Sequence, residues 1–301
     1  MRNEAHTGPL VDSINGFEII DCQKCRFKHI VPVPTPEMLD EIYRKEYYDN
    51  EKPLYISRTK EDQEWWDLVF KDRYDTFEEF LEPSQRRVLD IGSGAGFFLL
   101  YGKNRGWNVL GVEPSKQAAE YARNMGLNVI EEFFTEGLSS QIGHFDVVYL
   151  SQVLEHVPNP EEILAASYKI LNPGGLVCVV VPNDYNPFQV ALRNQRDFMP
   201  WWVAPPHHIN YFDANSITHV VEKAGFETLL KEATFPMDLF LMMGDNYIGN
   251  DLLGRQCHGK RKLFETTMAE AGLNSLKRSF YRFLAQENLG RETLIVARKM
   301  S

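Results

Sequence analysis

Three glycines, each separated by one residue, form the most informative chemical pattern in this sequence. The apolar stretch at 88–91 runs into GSGAG at 92–96, and a second apolar segment begins at Phe97. Glycines at the end of a buried strand let the backbone approach a ligand closely, and the first amides of a following helix attract polar or anionic groups. The pattern predicts a ligand-binding loop between a strand and a helix.

The spacing of the glycines separates the ligands that such a loop could hold. A dinucleotide-binding loop has the pattern G-x-G-x-x-G, whereas Phe97 occupies the place of the third glycine here. A phosphate-binding P-loop has two glycines with four residues between them, followed by Lys and then Ser or Thr. The interval from Gly96 to Gly102 is one residue too long, and Asn104 follows Lys103. Both interpretations are therefore weakened.

An acidic residue after the next apolar stretch favours a nucleoside as the ligand. Glu113 follows the stretch 109–112 and lies 21 positions after Gly92. In a doubly wound sheet, an acid at this place accepts hydrogen bonds from ribose hydroxyls. Because strand, loop, helix and acid are in register, this interpretation is favoured over a plain glycine turn with a solvated glutamate.

Short apolar runs alternate with helical segments and predict the elements that position this loop. The runs cover 88–91, 109–112, 128–130, 146–150 and 176–181. Continuous apolar runs of this length are typical of parallel strands covered on both faces. Two more strands are predicted at 226–234 and 292–298, with a mostly helical insertion between them. The pattern indicates a doubly wound α/β sheet.

Charge and composition exclude several classes of protein. The chain has 32 Lys and Arg against 42 Asp and Glu, a net charge of −10, which argues against nucleic acid or an anionic membrane as partner. No stretch approaches the ~20 apolar residues of a membrane span, and the N-terminal decapeptide lacks the apolar core of a signal peptide. Four cysteines in 301 residues do not make a disulfide scaffold. We therefore expect a soluble, cytoplasmic protein with a small-molecule partner.

Four stretches of the chain resemble the class I S-adenosylmethionine (SAM)-dependent methyltransferases. They are VLDIGSGAGFF at 88–98, GVEPS at 111–115, FDVVYLSQVLEHVPNP at 145–160 and ILNPGGLVCVVVPN at 170–183. The resemblance implies a Rossmann-like, mostly parallel seven-stranded sheet whose last strand, at 292–298, is antiparallel. It also implies that the protein is an enzyme whose cofactor is SAM.

The resemblance assigns the residues that would hold SAM, from its methionine end through the ribose to the adenine. At the methionine end they are Asp90, Gly92, Gly94, Gly96, Ser151 and Gln152. Glu113 would hold the ribose, and Glu132 and Phe133 would lie beside the adenine. Ser151 and Gln152 would also face the reacting sulfonium of SAM.

Flanking features look, more loosely, like the sugar C-methyltransferases that act on nucleotide-linked deoxysugars. These features are a Cys22-x-x-Cys25 pair, EPS at 113–115, EFF at 132–134 and HHINYF at 207–212. The resembling enzymes carry a zinc-binding appendage with four cysteines, whereas this chain has one Cys-x-x-Cys pair. This looser resemblance implies a nucleotide-linked sugar as one candidate for the acceptor.

The single cysteine pair leaves metal binding open. Cys22 and Cys25 have the spacing of zinc ligands, and His6 and His29 could complete a Cys₂His₂ set. The alternative is a knuckle that is held by its flanking strands alone. Zinc therefore remains a hypothesis, and no metal ligand is assigned from the sequence.

The chain divides into three predicted parts. Residues 1–45 form an appendage with the order strand, Cys-x-x-Cys knuckle, strand. Residues 46–235 and 291–301 form the SAM-binding core, and residues 236–290 form an inserted lid or substrate-binding segment. Helices are predicted at 37–49, across the boundary between appendage and core, and at 60–81.

Two histidines and a tyrosine are the candidates for catalysis. His208 is the first choice as a base, because a histidine accepts a proton near neutral pH and this one follows the fifth strand at the ligand-binding edge of the sheet. The sugar methyltransferases have a proposed base at the matching place, and His207 is the alternative. Tyr55 matches the place of an active-site tyrosine in those enzymes, although a packed or surface aromatic is the competing interpretation.

These observations predict an enzyme that transfers the SAM methyl group to an oxygen or carbon atom of a small-molecule acceptor. Two alternatives stay open. One is a SAM-binding module without catalysis, in which the histidine pair does no chemistry. The other is an NAD-dependent oxidoreductase, against which the glycine spacing argues.

Overall fold

The computed structural model describes residues 6–35, 38 and 54–300 and contains a large central sheet. Its strands, in chain order, are β4 (Arg87–Ile91), β5 (Asn108–Val112), β6 (Val129–Ile130), β7 (Phe145–Ser151), β8 (Leu171–Pro182), β10 (Phe226–Ala233) and β11 (Glu292–Lys299). They lie in the order β10-β11-β8-β7-β4-β5-β6. Strand β11 is antiparallel to both neighbours, and the other pairings are parallel. The predicted seven-stranded doubly wound sheet is therefore confirmed.

Helices cover both faces of this sheet. They are α1 (Tyr55–Glu61), α2 (Gln63–Phe80), α3 (Phe97–Asn104), α4 (Lys116–Asn124), α5 (Glu136–Ser139), α6 (Pro160–Ile170), α7 (Pro187–Arg196), α8 (Ala214–Lys223), α9 (Asp238–Met242), α10 (Asp251–Glu270) and α11 (Asn274–Gln286). The helix predicted at 60–81 is observed as α1 and α2, which meet at Asp62. The helix predicted at 37–49 lies outside the described residues, apart from Met38.

The apolar runs of the parallel strands divide between two core clusters, one on each face of the sheet. Leu89 and Ile91 of β4 belong to the cluster that packs against α6 and α8. Val88, their neighbour, belongs to the cluster that packs against α2, α3 and α4. Alternate side chains of a strand point to opposite faces, so a strand covered on both faces needs a continuous apolar run.

A second, antiparallel sheet joins the N-terminal appendage to the core. Its strands are β1 (Leu10–Ile14), β2 (Phe17–Asp21), β3 (Lys28–Val31) and β9 (Asn210–Tyr211). The strands on either side of the cysteine knuckle were predicted, whereas β1 and β9 were not. Strand β9 comes from the loop that carries the histidine pair, and its Asn210 pairs with His29 of β3. The appendage is therefore built directly onto a loop of the core.

The insertion between β10 and β11 is helical, as predicted, and ion pairs hold it over α2. Asp62 accepts hydrogen bonds from Arg255 and Lys262 of α10, and His258 lies beside it. Burial raises the pKa of Asp62, but the bonds from these cations lower it to about 2. Asp62 is therefore ionised near neutral pH and fixes α10 against the junction of α1 and α2.

Among the described residues, every helix is either too short or too polar to cross a bilayer.

Candidate active site

The glycine loop connects β4 to α3 and is fastened to the end of β5. The amides of Gly92 and Ser93 both donate to the carbonyl oxygen of Val112, at 2.8 and 3.2 Å. Gly92 has a φ of +73°, and a Cβ there would lie 2.7 Å from the side chain of Val153. The backbone angle and the close packing both require glycine at this position.

Glu113, at the carboxyl end of β5, is buried and held by the loop itself. Its Oε2 accepts a hydrogen bond from the amide of Gly94 at 2.8 Å, and its Oε1 accepts one from the amide of Ser115, also at 2.8 Å. Only 5% of the residue is exposed. A carboxylate has about four lone-pair sites, so each oxygen can accept one further hydrogen bond. The carboxylate therefore fits the two hydroxyls of a ribose.

Burial changes the acidity of the two carboxylates in this region. Burial raises the pKa of Glu113 to about 7, although the amides of Ser115 and Gly94 act in the opposite direction. Burial and the nearby Glu113 also raise the pKa of Asp90 well above its usual range. A donor that hydrogen-bonds to Glu113 stabilises its charged form, so ligand binding here and ionisation of Glu113 favour each other.

The remaining residues assigned to SAM lie along the same edge of the sheet. Glu132 is exposed and Phe133 is half-buried, and both follow β6. Ser151 ends β7, and Gln152 has a left-handed backbone with a φ of 56°. Such an angle is uncommon for a residue other than glycine and turns the chain sharply at this edge. The structure thus places these residues on the strand ends where doubly wound sheets bind ligands.

The histidine pair lies in a loop that is tied to the segment after β7. The carbonyl oxygen of Glu155 accepts hydrogen bonds from the amides of Ile209 and Asn210, at 2.7 and 3.0 Å. The His156 ring nitrogen Nδ1 donates to the carbonyl oxygen of His207 at 2.8 Å. These bonds fix the half-buried His207 and His208 beside the segment that begins at Gln152.

His208 belongs to a compact polar group with Glu155 and His156. The rings of His156 and His208 pack edge to face with their centroids 4.9 Å apart. Glu155 is fully buried beneath them, and one ligand atom from each of the three residues lies within 4.8 Å of the others. A histidine beside a buried carboxylate is suited to accept a proton, because the carboxylate stabilises the imidazolium.

Tyr55, the third catalytic candidate, begins α1. Its half-buried ring packs against the core cluster that includes Phe97 and Phe98. This packing accounts for an aromatic residue at the position, and the catalytic assignment of Tyr55 stays a prediction.

A cavity of about 400 Å³ opens beside Ser151 and Gln152. Its walls come from α2, the end of β10, the inserted helices α10 and α11, and the start of β11. Trp65 and Trp66 supply an aromatic wall, and Glu292 lies at the inner end, where its Oε1 accepts a hydrogen bond from Gln152. Volumes of this size are typical of small-molecule sites.

The cavity is rich in charge, and most of that charge is paired. Among the described lining residues, five are basic (Arg73, Arg261, Lys277, Arg278, Arg291) and four are acidic (Asp72, Glu232, Glu265, Glu292). His258 also lines it, and burial together with Arg261 lowers the pKa of this histidine to about 4, so it is neutral near pH 7. A chain with a net charge of −10 thus places a slight excess of positive charge here.

These cavity residues were not predicted from the sequence. Arg73 and Glu265 lie in amphipathic helices, where a charged residue is ordinarily solvated, so their local sequence carries no signal. Glu292 could have been predicted, because the last strand was expected to be antiparallel. The first residue of such a strand lies beside the carboxyl ends of the strands next to it.

The appendage brings together the four residues that could complete a metal site. The Nδ1 atom of His6 lies 3.1 Å from Nε2 of His29, 3.5 Å from Sγ of Cys22 and 3.3 Å from Sγ of Cys25. Tetrahedral zinc with ordinary bond lengths places nitrogen and sulfur ligands ~3.5 Å apart. The Nδ1 atom of His29 donates to the carbonyl oxygen of Ile30 at 2.9 Å, which leaves Nε2 as a ligand atom. The four residues therefore fit a zinc ion.

Comparisons with known proteins agree with this geometry. A family model described as a methyltransferase domain matches residues 63–231, more than half of the chain. The chain is 32% identical over 131 residues to a ubiquinone biosynthesis O-methyltransferase of Dechloromonas aromatica (strain RCB), covering 38% of this chain and 55% of the relative. It is 33% identical over 132 residues to one from Caulobacter sp. (strain K31), covering 40% and 51%. The chain thus spans about half the length of these curated relatives.

A solved structure shows the same fold. A SAM-dependent methyltransferase from Archaeoglobus fulgidus superposes with a TM-score of 0.51 and 17% sequence identity, covering 79% of this chain and 97% of that one. The family match includes the glycine loop, Glu113 and the segment after β7. The chain belongs to the methyltransferase-domain family, with the fold of the class I SAM-dependent enzymes.

Proposed function

We propose that this protein transfers a methyl group from SAM to a small-molecule acceptor. The observation that carries the proposal is the buried Glu113 carboxylate, which two backbone amides hold at the glycine loop with lone pairs left for a ribose. Membership of the methyltransferase-domain family supports it. The cavity beside Gln152 then provides the place for the acceptor.

Different residues along this edge of the sheet would hold the different parts of SAM. The loop at 92–96 and Asp90 would hold the methionine end, and Glu113 would accept hydrogen bonds from the ribose hydroxyls. Glu132 and Phe133 would flank the adenine, and Ser151 and Gln152, which line the cavity, would face the reacting sulfonium. When bound, SAM supplies an electrophilic methyl group on a sulfonium, which is a good leaving group.

The tasks left to the protein are positioning and proton removal. Holding the acceptor atom in line with the methyl group lowers the entropic part of the barrier. His208 is the proposed base, because it lies with Glu155 and His156 in the segment that follows Gln152. His207, the neighbouring residue, is the alternative base, and Tyr55 is the weaker third candidate.

The acceptor is proposed to be a small molecule that is methylated on oxygen or carbon. A nucleotide-linked sugar is the acceptor that the cysteine pair and the HHINYF segment favour. The names of the curated relatives favour a second class, a hydroxyl group of an intermediate in ubiquinone biosynthesis. Both classes are compatible with a cavity that combines tryptophan faces and charged groups.

The proposed role of the Cys₂His₂ group is structural. Zinc held by His6, Cys22, Cys25 and His29 would stabilise the sheet of β1, β2, β3 and β9. Because β9 directly follows the histidine loop, this stabilisation extends to His207 and His208.

The direct test is calorimetric titration of SAM into the full chain, with NAD as the control ligand. Micromolar binding of SAM without binding of NAD is expected. A panel of nucleotide-linked sugars and hydroxylated intermediates of ubiquinone biosynthesis, assayed for S-adenosylhomocysteine, then identifies the acceptor class. Tighter binding of NAD than of SAM would overturn the proposal. Binding of SAM with no product from any acceptor would favour the non-catalytic alternative.

A further inference from the structure

Arg73 is a buried cation on the wall of the cavity. It lies in the middle of α2 and is only 8% exposed, yet its side chain lines the cavity. Its Nε is buried without a hydrogen-bond partner, and no described carboxylate lies within ion-pair distance of its guanidinium. An arginine that is buried in this way ordinarily has a partner, because a desolvated charge without one is costly.

The acidic groups closest to Arg73 are already bound to other cations. Asp72 accepts a hydrogen bond from Lys277 at 2.7 Å. Glu232 accepts from Arg278 at 2.9 Å and from Arg282 at 3.0 Å. These carboxylates therefore form their ion pairs with cations of α11 and not with Arg73.

The guanidinium of Arg73 nevertheless stays charged. Burial lowers its pKa, but the nearby carboxylates of Glu232 and Asp72 act in the opposite direction, and the pKa lies above its ordinary value. The cavity thus contains a fixed positive charge on the α2 wall, which also carries Trp65 and Trp66.

We propose that Arg73 binds an anionic group, a phosphate or a carboxylate, on the methyl acceptor. The inference rests on the proposed function, since it assigns the acceptor to the cavity beside Gln152. A guanidinium presents a planar fork of donors that pairs with both anions in a bidentate manner. Arg73 would fix the anionic end of the acceptor while the tryptophan faces hold its body, so the nucleophilic atom is presented at Gln152. Arg73 is thus a positioning residue that determines specificity.

The test compares Arg73→Met with a matched control, Arg86→Met. Methionine keeps the length and apolar stem of arginine and removes the charge. Arg86 precedes β4 and so lies at the amino ends of the parallel strands, whereas the cavity opens at their carboxyl ends. Its side chain donates hydrogen bonds to the carbonyl oxygens of Glu82 and Gln85. Thermal unfolding is followed in chloride, inorganic phosphate and acetate at one ionic strength, and SAM binding is measured by calorimetry.

The expected result has three parts. Phosphate or acetate raises the melting temperature of the wild type and of Arg86→Met, because a ligand that binds only the native state stabilises it. Arg73→Met loses this response, with an anion affinity at least about tenfold lower. In chloride it melts at or above the wild-type temperature, because removing an unpaired buried charge is neutral or stabilising. A larger response to phosphate than to acetate would identify a phosphorylated acceptor, and the reverse a carboxylate.

Two outcomes would overturn the inference. One is an anion response that Arg73→Met keeps, which would place the site elsewhere. The other is a melting temperature of Arg73→Met several degrees below that of the wild type in chloride, which would show that Arg73 has a structural partner. SAM affinity separates this test from that of the proposed function, because Arg73→Met should bind SAM as the wild type does. Failure of the wild type to bind SAM refutes the proposed function and leaves the anion response as a separate result.

Discussion

The glycine loop with Glu113, here called the cofactor half of the ligand-binding edge, and the cavity beside Gln152 are built in different ways. In the cofactor half, the glycine loop and Glu113 lie 21 positions apart along the chain, and the bonds that hold them are mostly backbone amides donating to oxygens. In the cavity, side chains about 200 positions apart pair with each other, as Trp65 does with Glu265 and Asp72 with Lys277.

This difference separates what is common to the family from what is specific to this chain. A cradle of backbone groups depends on strand order and on a few glycines, so any sequence with the fold can supply it. A cavity of paired side chains depends on which helices are inserted and how they pack. If the cavity binds the acceptor, as proposed, the choice of acceptor depends on α10 and α11 together with α2.

Removal of the proposed base should produce the largest effect. It should lower turnover and leave SAM binding unchanged. His208→Ala is expected to lower kcat about 100-fold to 10,000-fold with the identified acceptor, since that is the usual contribution of a general base. His144→Ala, at an exposed position before β7, is the matched control. Full turnover by His208→Ala would transfer the assignment to His207, and the same substitution there tests it.

Removal of Glu113 should affect only the cofactor half. Glu113→Ala is expected to weaken SAM binding about 100-fold, because two hydroxyl bonds to a charged acceptor are lost and two loop amides lose their partner. Calorimetry measures this, with the exposed Glu120→Ala of α4 as the control. An unchanged affinity would mean that the ribose is held elsewhere.

The pH dependence of SAM binding should follow the ionisation of Glu113. The folded pKa of about 7 lies above the usual 4.5, so the native state binds more protons than the unfolded state between these values. The contribution of Glu113 to stability is therefore fully present below pH 4.5 and is lost as the pH rises through 7. Ribose hydroxyls prefer the charged form, so SAM affinity should rise by at most about tenfold per pH unit up to that pKa and then level off.

The same titration should be repeated with Glu113→Gln and Asp90→Asn. Glutamine cannot ionise, so the slope should disappear in Glu113→Gln. A slope that persists there and disappears in Asp90→Asn would assign the titration to Asp90 instead.

Loss of the Cys₂His₂ group should lower the stability of the protein and leave SAM binding unchanged. Cys25→Ser is expected to lose bound zinc, measured by elemental analysis, and to lower the melting temperature by roughly 5–10 °C, which corresponds to a few kcal/mol. Cys257→Ala, at a buried cysteine of α10, should keep the metal. Wild-type protein purified without zinc and insensitive to chelators would contradict the assignment.

Much of the fold was predictable because its signals are local. The continuous apolar runs predicted the five parallel strands, and the position of 292–298 predicted the last strand of the sheet. The segment at 1–45 was predicted as a separate appendage, but its sheet takes β9 from the core. A two-residue strand such as Asn210–Tyr211 has no periodicity to detect, since its pairing partner alone makes it a strand.

The sequence by itself determined the ligand class of the cofactor half. The glycine spacing and the position of Glu113 follow from the geometry of one strand-loop-helix-strand unit, so residue identity and interval are sufficient. His6 and His29 were candidates from the sequence, but only the tertiary structure brought them together with Cys22 and Cys25, and it alone decided which charges meet in the cavity. The physical reason is that a long-range ion pair leaves no periodic trace in either segment. In the sequence, Arg73 looks like an ordinary exposed arginine of a helix. In the tertiary structure it is buried on the wall of the cavity, where its charge is available to a ligand.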